Sequence, residues 1–224
     1  MYLPTHFAQT DTAALHTLMR QYPLAAVIVN AASGITADHI PLLLSTAPEG
    51  RVFLRGHVAR ANPLWKLANA DAGTPCLVVF QGAQHYISPN GYASKALDHR
   101  AVPTWNYEVV HVQGVLRAFD GDSARLQALL ADLTTQHESR QPAPWSMHDA
   151  PADYLQKMQS AVVYIEVEVN SIQGKFKLSQ NQSAGNQASL MTALNAAQTP
   201  ASAAMAQRIA SHRPALTAAL SIQR

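Results

Sequence analysis

Four side chains in the stretch Arg51 to Lys66, RVFLRGHVARANPLWK, have the types and spacing to hold an anion. Arg55 lies in a run of alternating composition, and His57, Arg60 and Asn62 follow Gly56 within six residues. Asn62-Pro63 reads as an N-cap followed by proline at the first helical position. The exposed N–H groups of a helix start, with a guanidinium and an imidazole beside them, suit a phosphate or a carboxylate. A solvated strand-to-helix connection would show the same residues.

Two further stretches carry chemistry. In Val102 to Tyr107, Trp105 and Tyr107 flank Asn106, and aromatic faces beside an amide can hold a flat heteroaromatic ring. A barrel corner packing both rings inward is the alternative. In Gly174 to Asn181, Lys175 and Lys177 fall on one side of a strand end and Phe176 and Leu178 on the other, so two ammonium groups could meet one phosphate or form an ordinary solvated face. Nucleotide-loop, zincin, CxxC and GxSxG patterns are absent, and the ten histidines show no HxH or HxxxH ligand spacing.

Strands must position these groups. Leu24 to Ala31 is apolar and β-branched, Ser33-Gly34 is a turn, and Ile35 to Ser45 reads as the returning strand, with Pro41 at an edge or bulge. Pro48-Glu49-Gly50 turns the chain into Arg51 to Arg55, completing a meander. Cys76 to Gln81 is a strand, Gly82-Ala83 allows a reversal into His85 to Ser88, and Trp105 to Phe119 is a long strand with Gly114 at a bulge or close approach. Val163, Ile165, Val167 and Val169 alternate with Tyr164, Glu166 and Glu168, the pattern of a half-buried strand. Helices are expected from Thr10 or Asp11 (Leu15, Leu18, Met19, Tyr22), from Pro63, after Asp120-Gly121-Asp122 (Leu126, Leu129, Leu130, Leu133), from Pro151 and from Thr199-Pro200. Six or seven strands joined by short turns, without a βαβ alternation, predict an antiparallel barrel with peripheral helices.

The 224 residues, 48% of them hydrophobic, can bury a substantial core. With 13% charged residues and a net charge of +2, binding nucleic acid through charge alone is excluded. The single cysteine, Cys76, reads as a small core residue and fits a reducing cytoplasm. No apolar run approaches the ~18 residues of a membrane span, and the N-terminus lacks the pattern of a signal peptide, so an intracellular location away from the membrane is expected. The composition turns to Ala, Gln, Ser and Asn after Ser179, and the expected division is a barrel domain over 1–180 and an Ala-rich helical segment over 181–224.

Together these pieces resemble the PaiB-like FMN-binding negative transcriptional regulators, built on the split barrel shared with pyridoxamine 5′-phosphate oxidase-like flavoproteins. The matching segments are Met1 to Phe7, Asp38-His39-Ile40-Pro41, Gly56 to Pro63, Tyr86-Ile87-Ser88-Pro89, Val102 to Tyr107 with His111 to Gly114, and Gly174 to Asn181. Asp38 stands where the family pattern has Thr, and Gly91 where it has a bulky aromatic. The resemblance implies FMN at a homodimer interface. Its phosphate would lie near Arg55, His57, Arg60 and Asn62, and its ring edge near Thr36, Asp38 and His39. Trp105, Asn106, Tyr107, Lys175, Lys177 and Gln180 would complete the pocket. It also implies regulation of transcription, with DNA contact direct or indirect; Arg208, His212, Arg213 and Arg224 make the tail mildly basic. A flavin-dependent oxidoreductase acting on a small molecule is the other activity the resemblance allows, and haem binding in a related barrel a third.

Overall fold

Alternating apolar residues set the strands. In the computed structural model, which describes residues 1–68 and 72–212, the elements in chain order are β1 (Ala8–Gln9), α1 (Thr12–Gln21), β2 (Leu24–Ala31), β3 (Gly34–Pro41), β4 (Leu43–Thr46) and β5 (Val52–Ala59). There follow α2 (Leu64–Leu67), β6 (Thr74–Ile87), α3 (Lys95–Asp98), β7 (Thr104–Phe119), α4 (Ser123–Glu138), α5 (Ala152–Ser160), β8 (Val162–Lys177), α6 (Ala184–Ala196) and α7 (Pro200–Ser211). The strand order is β3-β2-β6-β7-β8-β5-β4, with β1 on β8. Every pair with a defined register is antiparallel. The fold is therefore the mainly β split-barrel class with peripheral and C-terminal helices, as expected, with eight strands where six or seven were read.

Three local expectations change. The return strand after Gly34 is two strands, because Pro41 has no N–H to give and the chain steps inward at Leu42, which is buried. β3 then pairs with β2, while β4 pairs with β5, so no meander forms. Gly82 does not turn the chain. It lies inside the 14-residue β6 and is not among the glycines with positive φ. The helix after Asn62 starts at Leu64 and lasts four residues, although Asn62 Oδ1 accepts from the Leu64 N–H at 2.8 Å as a cap does.

The chain divides into two compact units. The first comprises Met1–Asp11, Gln81–Val109 and the described part of Gln173–Arg224; the second comprises Thr12–Phe80 and Val110–Ile172. In the second unit the predicted stripe of α4 packs as read: Leu126 and Leu129 join Leu43 and Tyr164 in a buried cluster edged by Phe119, Leu130, Leu133 and Val162. Asp122 caps α4, accepting from the Arg125 N–H at 3.0 Å. Gly114 is a close approach: a Cβ there would lie 2.4 Å from the Glu168 carbonyl oxygen.

In the first unit, α6 and α7 bury Leu190, Leu194, Met205 and Ile209. Thr199 caps α7 through the Ser202 N–H at 3.1 Å, with Pro200 in the first turn, as the sequence predicts. Gly91 faces α6 closely, a Cβ there meeting Leu190 Cδ1 at 3.1 Å, so a bulky aromatic has no room at this position. Arg213 and Arg224 of the basic tail lie outside the described residues.

Candidate functional site

The strand-to-helix corner belongs to the second unit, and its charges are already paired. Arg60 donates from Nη1 to Asp120 Oδ1 at 2.8 Å and from Nε to the Ser160 carbonyl at 2.8 Å. Arg55 donates from Nη2 to Asp132 Oδ2 at 2.8 Å, and its buried Nε has no partner. Asn62 Nδ2 donates to Asp38 Oδ1 at 2.8 Å, so the residue that departs from the family pattern braces the cap of α2. Thr36 and His39 are exposed on β3. His57 stands apart from the other cation candidates. Burial lowers its pKa, Nδ1 is buried without a partner, and its ring borders Leu130, Trp145, Tyr154 and Met158. A neutral imidazole in apolar surroundings is a poor counter-ion for a phosphate.

The first unit gathers the other candidates. Alternation along β7 turns Asn106 fully inward and leaves Trp105 54% exposed. Asn106 Nδ2 donates to Ser179 Oγ at 2.9 Å. Lys177 donates from Nζ to Thr104 Oγ1, and Gln180 donates to the Phe176 carbonyl and accepts from the Leu178 N–H. Lys175, buried, donates to the Tyr2 carbonyl at 3.1 Å and lies over the Tyr107 ring, 5.6 Å from its centre. Asn106 and Lys177, with Arg100, Thr104, Ser179 and Gln182, line a cavity of about 260 Å³ that no carboxylate side chain among the described residues lines. Burial lowers the Lys177 pKa, the expected effect on an ammonium drawn partly out of water.

Sequence reading missed Arg100, which nothing in its surroundings marks, and Glu108. Glu108 had a signal, since period two places it on the inward face with Asn106 and Val110. It is 1% exposed and forms a forked ion pair with Arg208, Nη2 to Oε1 at 2.6 Å and Nε to Oε2 at 2.7 Å. Arg208 of the basic tail is thereby committed to the protein interior, and His212 packs edge-on against Phe176 at 5.3 Å. No helix among the described residues is long and apolar enough to cross a membrane.

FMN carries a dianionic phosphate on a chain ending in an uncharged flat ring. The fit can be judged from the donors present: the cleft of the first unit offers two cations and several amide and hydroxyl groups, and no acid among the described residues lines it. At about 260 Å³ it has room for a phosphate and part of the chain, since a whole ligand of this kind needs roughly 300–1,000 Å³. The donor set fits the group.

Comparison with known proteins agrees. Residues 1–171 match the model of the family described as "Putative FMN-binding domain". An uncharacterized protein of Emericella nidulans is 30% identical over 219 residues, covering 83% of this chain and 87% of that protein. "Protease synthase and sporulation protein PAI 2" of Bacillus subtilis is 26% identical over 207 residues, covering 92% and 95%. Among solved structures, the flavocytochrome Anf3 from Azotobacter vinelandii aligns with a TM-score of 0.51 at 14% identity over 76% of this chain and 69% of that one. A conserved hypothetical protein from Mycobacterium tuberculosis aligns with a TM-score of 0.51 at 10% identity over 83% and 98%. At such identities the likeness is one of fold. With the family model spanning residues 1–171, the chain belongs to the PaiB-like FMN-binding family, and its cofactor is FMN.

Proposed function

We propose that this protein is an FMN-binding negative regulator of transcription that works as a homodimer with the flavin at the subunit interface. The observation that carries the reading is the near end-to-end similarity to PAI 2, whose name ties that protein to protease synthesis and sporulation. Lys177 and Arg100 take the phosphate, because both line the cleft and no carboxylate side chain among the described residues lines it with them. The ring lies against the exposed edge-to-face pair Tyr86 and Trp105, whose centres are 6.0 Å apart. An aromatic pair left in water is incomplete as a flavin site, and a second subunit closes it. Thr36 and His39, exposed on β3, are open to the partner subunit.

The flavin-binding part is assigned to 1–180. The described part of the 181–224 segment is fastened in the first unit by Asn186 to Ser94 at 2.9 Å and by Arg208 to Glu108. Regulation acts indirectly in this reading, since Arg208 is already paired and the net charge is only +2.

FMN titration of two variants, followed by flavin fluorescence, tests the site. Lys177→Ala weakens binding by about 1.5–3 kcal/mol, the worth of a charge-assisted bond. Arg60→Ala changes it little, because Asp120 already holds that guanidinium. Loss at Arg60 with none at Lys177 would move the phosphate to the corner. Steady turnover of an acceptor driven by NADPH would favour an oxidoreductase over a regulator.

A further inference from the structure

We infer that the second unit holds a binding pocket for a small, uncharged aromatic molecule bearing one hydroxyl or carbonyl group, recognised by His57. The cavity is about 290 Å³; its walls are mainly Leu130, Trp145, Met147, Tyr154 and Met158, with the His57 imidazole and the polar side chains of Thr134 and Gln159 among them. Among the described residues no Asp, Glu, Lys or Arg lines it, so a charged ligand would lose its hydration there without a counter-ion. Trp145, Tyr154 and Met158 are 42%, 54% and 41% exposed, and large apolar side chains left in water and converging on one hollow mark a ligand site. Two flat rings and two flexible thioethers form a wall that adapts to a planar ligand.

The wall is held in place. Glu138 Oε2 accepts from the Trp145 N–H at 2.9 Å, and Asp149 Oδ2 accepts from the Ser146 N–H at 2.7 Å. Thr134 and Gln159 also line the cavity, and His57 adds an imidazole with no partner of its own among the described residues. Its Nδ1 is sealed without a partner, and no hydrogen bond reaches either ring nitrogen among the described residues. A ligand in the cavity therefore meets Nε2. Placing the proton on Nε2 leaves only a lone pair unpaired at the sealed position, so the pocket presents a donor suited to a ligand oxygen. This site goes beyond the flavin cleft, which lies in the first unit and is cationic.

Isothermal titration of the FMN-loaded protein with 2-naphthol, and with 2-naphthoate as a charged molecule of the same breadth, tests the assignment. One 2-naphthol binds per chain, and 2-naphthoate binds at least tenfold more weakly. Met158→Trp, which fills the cavity, abolishes 2-naphthol binding while FMN affinity stays within about twofold. His57→Phe, which keeps the packing and removes the polar contact, weakens 2-naphthol about tenfold, the worth of one hydrogen bond. Equal binding of the two probes, no effect of Met158→Trp, or a parallel loss of FMN in that variant would each overturn a separate neutral pocket.

Discussion

Arg208→Ala should cost this protein about 3 kcal/mol of stability. Glu108 is 1% exposed and accepts three hydrogen bonds from the Arg208 guanidinium, at 2.6, 2.7 and 2.9 Å. Removing one partner of a buried pair typically costs about 3–5 kcal/mol, because the other charge stays buried without compensation. The low end applies here: the Arg208 side chain is 29% exposed, so water can enter the space it leaves. For a chain of this size 3 kcal/mol corresponds to a fall in Tm of roughly 6–12 °C. Urea unfolding followed by far-UV circular dichroism measures the loss directly. The double variant Glu108→Leu with Arg208→Met should recover most of it, since both charges go and the volume is kept. A loss below about 1 kcal/mol, or a double variant no better than the single, would refute the view that Arg208 serves the interior. It would also return Arg208 to the pool of possible DNA contacts.

Three further predictions concern packing and protonation. Gly114→Ala should destabilise by about 3 kcal/mol, because its Cβ would meet the Glu168 carbonyl oxygen at 2.4 Å and Val167 Cγ1 at 2.6 Å; denaturant unfolding gives the value. Burial pushes the Cys76 thiol up to about 11, so a thiol-specific disulfide reagent at pH 8 should label it only after unfolding. Burial lowers the pKa of His16, His57, His111 and His212 in the folded chain. The unfolded chain therefore takes up protons first as the pH falls through 6.5, and the stability present above 6.5 declines toward each folded-state value. The urea midpoint should be lower at pH 5.5 than at pH 7.5, and an unchanged midpoint would contradict it.

Much of the strand framework was legible because a half-buried strand must alternate. The period-two runs around Val163 to Val169 and Val110 to Leu116 became β8 and β7, and the stripe of Leu126 and Leu129 became the buried face of α4. Punctuation by Pro and Gly was ambiguous. Pro41 broke a strand that seemed to run on, whereas Gly82 sat inside one that seemed to turn. The chemistry at the corner was least legible, for a different reason. Arg55 and Arg60 look like free cations in sequence, yet their acids lie 77 and 60 residues away, and the acid that claims Arg208 lies 100 residues away. Such pairings are products of the fold, and no local spacing announces them. The cleft around Lys177 and the pocket around His57 likewise draw Arg100 and Trp145 from stretches without periodicity.

The most direct test of the whole account is a fluorescence titration of flavin-free protein with FMN, run alongside sedimentation. The account predicts saturable quenching at one FMN per chain, a yellow complex and a dimer whose stability rises with FMN. Flavin fluorescence unchanged at micromolar protein, or FMN held by a species that sediments as a monomer, would contradict it.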